Sequence, residues 1–228
     1  METSDKLLIP RIWIKRGIAM PSPKTVVSSY LKKSIDTYVD RTKPVRDIKE
    51  ADTFLEVPLI RQSTTYSCGS ASFLAILGYY GHNIPEKDAM KTLDTTLGGT
   101  SPEDFLKAAR KFNFDAHLST DMTMDSVRKS IDKKTPVILD IQAWNDEEDN
   151  PDYSEEWKDG HYVVACGYDS EGLFFMDPSQ IGYSYLQNKD LMKRWHDVGD
   201  DNKRYHHLGI IVSGKEPKFD LSKAKPIK

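Results

Sequence analysis

The 228-residue sequence is poor in cysteine, with only Cys68 and Cys166, so it can form at most one internal disulfide and no disulfide framework. It has no CxxC and no HExxH, and its two cysteines are far apart, which removes the usual zinc signatures. No stretch reaches the roughly 18 to 20 apolar residues of a membrane span. The opening METSDKLLIPRIWIKRGIAM has no basic n-region leading into an apolar h-region, because Pro10, Arg11, Lys15 and Arg16 interrupt its apolar pairs. Charge of one sign is also lacking: 32 basic against 35 acidic residues leave a net charge of −3, which gives no general pull toward nucleic acid or acidic membranes. Internal repeats and low-complexity tracts are absent. These absences lead us to expect a soluble, cytoplasmic protein with no metal or organic cofactor, no nucleic-acid partner and no membrane span.

What is present divides the chain into three. Residues 1–55 form an extension whose segment PKTVVSSYLKKSIDTYV, residues 23–39, places Val27, Tyr30, Leu31, Ile35 and Tyr38 at helical spacing, with Ser22 and Pro23 suited to the N-cap and N1 positions. It reads as an outer amphipathic helix, and an arm for a protein partner is its second reading. Residues 56–213 form the main domain, and the lysine-rich tail 214–228 reads as a solvated or loosely docked end.

Within the main domain FLEVPLI reads as a short strand. A nearly all-apolar helix follows from Cys68 to about Tyr80, closed by Gly81. PEKDAMKTLDTTL, PEDFLKAARKF and MDSVRKSIDK read as three more helices, with Gly98 and Gly99 ending the first of them. The period then changes. PVILDIQAW, HYVVACGYD, GLFFMDP and YHHLGIIV are β-branched and aromatic and read as strands, with a short helix NKDLMKRW among them. Helices first and strands second predict an α+β domain in which a helical lobe packs on an antiparallel sheet lobe, with a cleft between.

A thiol at the start of a buried helix is either a small core residue or a nucleophile favoured by the helix N-terminus. A nucleophile needs a base, a group that holds the base, and donors for an oxyanion. His161 opens a strand directly after Gly160, and Asp177 ends the next strand before Pro178. A tight turn through Ser170, Glu171 and Gly172 brings the two to the same open end of a hairpin. Gln62 lies six residues before Cys68, where its amide could join the Cys68 backbone N–H as an oxyanion donor. Cys166 is mid-strand, on the face opposite His161, and reads as core.

Taken together, RQSTTYSCGSASFLAILGYYG, GTSPEDFLKAARKF, TPVILDI, HYVVACGYD, FFMDPS and DLMKRW resemble the C39-like peptidases, a branch of the papain-like cysteine proteases. The resemblance runs from about Val57 to Val212. It implies a papain-like fold and a Cys-His-Asp triad of Cys68, His161 and Asp177, with Gln62 at the oxyanion hole. The best-known relatives are cytosolic domains of peptide-exporting transporters that cut leader peptides after Gly-Gly. This sequence differs from them in three ways: no transmembrane or nucleotide-binding region, the extension 1–55, and a long acidic loop before His161.

That loop, WNDEEDNPDYSEEWKDG, carries Asp146, Glu147, Glu148, Asp149, Asp152, Glu155, Glu156 and Asp159 against Lys158. It reads as a solvated lid, or as a rim that favours basic substrates, with Trp144, Glu155 and Glu156 as candidate substrate-binding residues. The resulting expectation is a cysteine peptidase acting on a peptide or protein substrate. The alternatives are an acyl or peptidyl transferase using the same triad and a non-catalytic peptide-binding module.

Overall fold

The computed structural model describes residues 46–144, 152–199 and 202–223. The predicted helix 23–39 and the acidic residues Asp146–Asp149 lie outside them. Among the described residues no helix is long and apolar enough to cross a membrane. The elements are β1 (Thr53–Phe54), α1 (Cys68–Tyr79), α2 (Glu86–Thr92), α3 (Pro102–Lys111), β2 (Asp115–Ser119), α4 (Met124–Asp132), β3 (Val137–Gln142), β4 (Gly160–Tyr168), β5 (Gly172–Met176), β6 (Tyr183–Gln187), α5 (Asn188–Arg194), β7 (His196–Val198), β8 (Arg204–His206) and β9 (Gly209–Ser213).

Seven strands form one antiparallel sheet in the order β2-β9-β3-β4-β5-β6, with β1 added alongside the end of β4, while β7 and β8 form a separate ribbon. β3, β4 and β5 read as continuous apolar runs because almost every residue in them is buried. α1 is buried all round, which explains why its sequence shows no polar face. Ser72 on α1 donates to the Tyr162 carbonyl of β4 at 3.1 Å, and Phe73 meets Phe105 of α3 edge-on at 6.2 Å. Helix on sheet therefore holds the start of α1 beside the start of β4.

The α+β architecture is as the sequence predicts, but several boundaries move. Of FLEVPLI only Phe54 belongs to a strand, together with Thr53 before it, and after a further bond from Leu55 N to Cys166 O the chain leaves the sheet ahead of Pro58, which has no N–H to give. The helix read over PEKDAMKTLDTTL stops at Thr92, because Asp94 turns to a left-handed φ of 49°. Gly98 and Gly99 are thus not a helix end: Thr96 and Gly99 exchange backbone hydrogen bonds across a tight bend in which Gly99 takes a φ of 105°. YHHLGIIV is two strands, broken at His207 with a φ of 50°.

The compact unit begins at Arg46, whose Nε donates to the buried Asp169 carboxylate at 2.7 Å. The described part of the tail is docked, with Lys218 N and Phe219 N both donating to Tyr79 O at the end of α1.

Gly69, the second residue of α1, shows how closely this corner is packed. A Cβ there would lie 2.8 Å from Thr100 Cβ and Oγ1 and 3.2 Å from the Phe105 ring. Gly69→Ala is therefore expected to destabilise the protein by about 1–3 kcal/mol through overpacking, read as a lower urea midpoint at unchanged m-value.

Candidate active site

Cys68 is the first residue of a twelve-residue helix, so its sulfur sits where unpaired backbone N–H groups and the helix dipole favour negative charge. Its side chain is 9% exposed, whereas Cys166 is completely buried. His161 is the second residue of β4 and Asp177 follows β5 directly. The hairpin register pairs Val164 with Met176, so Asp177 comes one step beyond the last pair, toward His161.

His161 Nε2 and Asp177 Oδ1 are 2.8 Å apart. The carboxylate can only accept, so Nε2 carries the proton and Nδ1 is the nitrogen left for Cys68. Nδ1 is buried without a fully formed hydrogen bond, a looseness common in such contacts before substrate binds. Asp177 Oδ1 also accepts from the Ser179 backbone N–H and hydroxyl, each at 2.8 Å.

The electrostatics follow from these contacts. Burial pushes the Cys68 thiol up, but the neighbouring His161 imidazole and its charge, with the backbone N–H groups of Tyr162 and Gly69, bring it below the ordinary thiol value. Burial disfavours the His161 imidazolium, yet the hydrogen bond to Asp177 and the interaction with Cys68 outweigh that and raise it to about 9. Burial raises Asp177, while His161 and the Ser179 donors bring it below the usual carboxylate range. Cys166 differs: burial alone drives its thiol far up, and its sulfur donates weakly to Phe174 O at 3.5 Å.

Gln62 joins this group through its backbone, since its N–H donates to the carbonyl of Pro178, the residue after Asp177, at 3.0 Å. Its side-chain Nε2 donates to Thr64 O at 2.7 Å, which uses one of two amide hydrogens.

Trp144 lies against the imidazole, with ring centroids 4.3 Å apart. It has a φ of 54°, a strained value for so bulky a residue. The sequence suggests Trp144 for substrate; the structure sets its ring against His161 at a tilt of 55°. Glu155 is exposed, and Glu156 Oε1 accepts from the backbone N–H groups of Trp157 and Lys158 at 2.9 and 2.8 Å. This arm of the acidic loop is fastened to the β7–β8 ribbon, with Trp157 stacked on His196 at 4.4 Å and beneath the Arg204 guanidinium at 4.6 Å. Ser179 carries one local signal in the sequence, its place after Asp177-Pro178, where a serine donor suits an Asp-Pro-Ser turn.

Residues 54–202 match the Peptidase_C39 like family. The chain belongs to that family. Among solved structures, the peptidase domain of Streptococcus ComA, a bi-functional ABC transporter involved in a quorum-sensing pathway, is 18% identical, with a TM-score of 0.52 over 70% of this chain and 100% of that one. A protein described as a C39-like peptidase from Bacillus anthracis is 15% identical, with a TM-score of 0.55 over 73% of this chain and 98% of that one. At these identities the likeness is one of fold, and the fold is that of the α+β, papain-like C39 peptidase domains. No curated protein matches the sequence. Membership places the chain among cysteine peptidases, and the only other thiol it possesses is the inert, buried Cys166.

At pH 7, iodoacetamide is expected to alkylate Cys68 at least about tenfold faster than Cys166, as read by peptide mass mapping. Asp177→Asn is expected to slow Cys68 alkylation at pH 6 to 7, because the imidazolium that lowers the thiol loses its carboxylate. Equal labelling of the two cysteines, or no effect of Asp177→Asn, would contradict the assignment.

Proposed function

We propose that this C39 family member is a hydrolase that cuts a peptide or amide bond through an acyl-enzyme on Cys68. The observation that carries the reading is the single imidazole whose Nε2 is held by Asp177 at 2.8 Å, which leaves the buried, unbonded Nδ1 for Cys68. The catalytic unit in this reading is residues 56–213, and a reducing, cytoplasmic setting suits its free thiol.

In the first step the Cys68 thiolate attacks the carbonyl carbon, and the oxygen takes up the negative charge facing the Cys68 backbone N–H and the remaining Gln62 amide hydrogen. The His161 imidazolium gives its proton to the leaving amine as the C–N bond breaks, leaving a thioester on Cys68. His161, now neutral, takes a proton from water as the water attacks the thioester, and the carboxylic acid departs with the thiolate restored. Asp177 keeps the ring in the tautomer and orientation both steps require. No step calls for a metal or organic cofactor.

The reading is tested by comparing new protein N-termini generated by the wild-type protein and by Cys68→Ala in a peptide or proteome mixture. Wild type is expected to produce a defined set that Cys68→Ala and His161→Ala do not. Gln62→Ala should retain cleavage at a rate lower by on the order of 10²-fold. Acyl products that form only with an added amine would convert the reading to a transferase, and an absence of turnover with intact binding would make the chain a peptide-binding module.

The pH profile follows from the same charges. The imidazolium must be present to pair with the thiolate and to protonate the leaving group, so cleavage is expected to fall as pH rises through about 9. An alkaline limb centred near the ordinary histidine value of about 6.5 would contradict this.

A further inference from the structure

β3 places a carboxylic acid where an apolar run should continue. Asp140 is in the middle of Val137–Gln142, a strand buried at every position, and is itself 3% exposed. It pairs across the ladder with Tyr162, the residue after His161, and its Oδ1 has no hydrogen-bond partner. A second carboxyl, that of Asp197 on β7, lies over the same face of β3, since it is held by Gln142, two residues on from Asp140 along the strand. Asp197 Oδ1 accepts from Gln142 Nε2 at 2.7 Å, and Gln142 Oε1 accepts from Asp159 N at 3.0 Å, two residues before His161. Gly160 makes room for this arrangement, since a Cβ there would collide with the Asp197 carboxylate.

The surrounding described residues supply no lysine or arginine to either acid, and the charge that favours an ionised Asp197 is that of the His196 imidazole on β7. α1 presents Cys68, β4 presents Tyr162, whose hydroxyl donates to Thr100 O at 3.2 Å, and β8 presents Tyr205. β7 contributes His196, whose Nε2 lies 2.7 Å from Glu156 O. Arg194 of α5 donates to the Gln142 carbonyl, not to either acid. On α3, Glu103 Oε1 lies 3.5 Å from the Tyr205 hydroxyl and 4.0 Å from Lys203 Nζ. Among the described residues no lysine or arginine forms an ion pair with Asp140 or Asp197. Two adjacent buried carboxyls with no lysine or arginine paired to either cannot both ionise near neutral pH.

We propose that Asp140 and Asp197 hold one proton between them, with Asp140 donating to Asp197, and that uncharged Asp140 is a positioning residue for the reaction centre. It completes the chain Asp140–Asp197–Gln142–Asp159 that fixes the backbone entering His161, and it does so without a second negative charge beside the Cys68 thiolate. Burial, the Asp197 charge and the Cys68 charge all push Asp140 well above the ordinary carboxylate range. Burial likewise raises Asp197, partly offset by the Val198 N–H, Gln142, Asp140 and the charge of His196. The inference rests on Cys68 as nucleophile, but its test does not depend on peptide cleavage.

The test compares wild type with Asp140→Asn, whose amide can make the same donation to Asp197 but does not titrate. The unfolded chain releases the Asp140 proton near pH 3.9 and the native pair keeps it, so the native state binds more protons and wild type loses stability as pH rises above about 4. The Tm of Asp140→Asn minus that of wild type is therefore expected to increase from pH 4.5 to 7.5. A flat or decreasing difference overturns the proposal. The acid limb of Cys68 alkylation by iodoacetamide should lie within about half a pH unit of wild type in Asp140→Asn. A larger shift toward acid would show that an ionised Asp140 had been opposing the thiolate, and also overturns it. Wild type alone decides the matter if the variant does not fold: its infrared spectrum at pH 7 should keep a protonated-carboxyl C=O band, and its absence refutes the shared proton. Loss of the peptidase reading would leave the stability and infrared results standing, whereas failure of those results would leave peptide cleavage intact.

Discussion

One imidazole, that of His161, carries the arrangement. Its Nε2 reaches a carboxylate just past the neighbouring strand, and in the proposed reading its other nitrogen is left for a thiol at a helix N-terminus, so each requirement constrains a different part of the fold. The β4–β5 hairpin register brings Asp177 to 2.8 Å of the ring. The packing of α1 on β4, fastened by Ser72 and by the absence of a side chain at Gly69, brings Cys68 to the same ring. Ser179 fixes Asp177, Trp144 covers the imidazole, and the Gln62–Pro178 bond ties the segment before α1 to the segment after β5.

Burial of these charges works against each of them, and the site holds because they are mutually paired. Desolvation alone would leave a neutral thiol, a neutral imidazole and a protonated carboxyl. The hydrogen bonds and charges among the three reverse every one of those tendencies, lowering Cys68 and Asp177 and raising His161. Removing one member from such a site costs more than its own contact, because the remaining buried charges lose their compensation. The carboxyl pair beside the site shows the opposite solution: with no lysine or arginine paired to it, burial pushes both carboxyls toward the uncharged form.

Much of this was legible in the sequence because it depends on element boundaries. A cysteine at the start of an apolar run, a histidine after Gly160 and an aspartate before Pro178 are local signals, and the two-residue period fixes which strand ends meet. What depends on long-range pairing was not legible. Asp115–Ser119 is too polar to read as a strand and is one only because β9 pairs along its whole length. The short ribbon β7–β8 and the end of α2 at Thr92 are likewise set by neighbours and by single left-handed residues. Trp144 was readable as a candidate but not as the cover of His161, since its strained φ leaves no mark in the sequence. Asp140 did leave a mark, as the one acidic residue in the strand VILDIQ, and only the position of Asp197 gives it meaning.

The central claim is the charge state of His161, and a titration of its imidazole nitrogens by NMR in 15N-histidine-labelled protein tests it most directly. The ring is expected to remain protonated on both nitrogens through neutral pH and to titrate at about 9. A His161 that is already neutral at pH 7, titrating near the ordinary value of about 6.5, would contradict the ion pair on which the reading of this site depends.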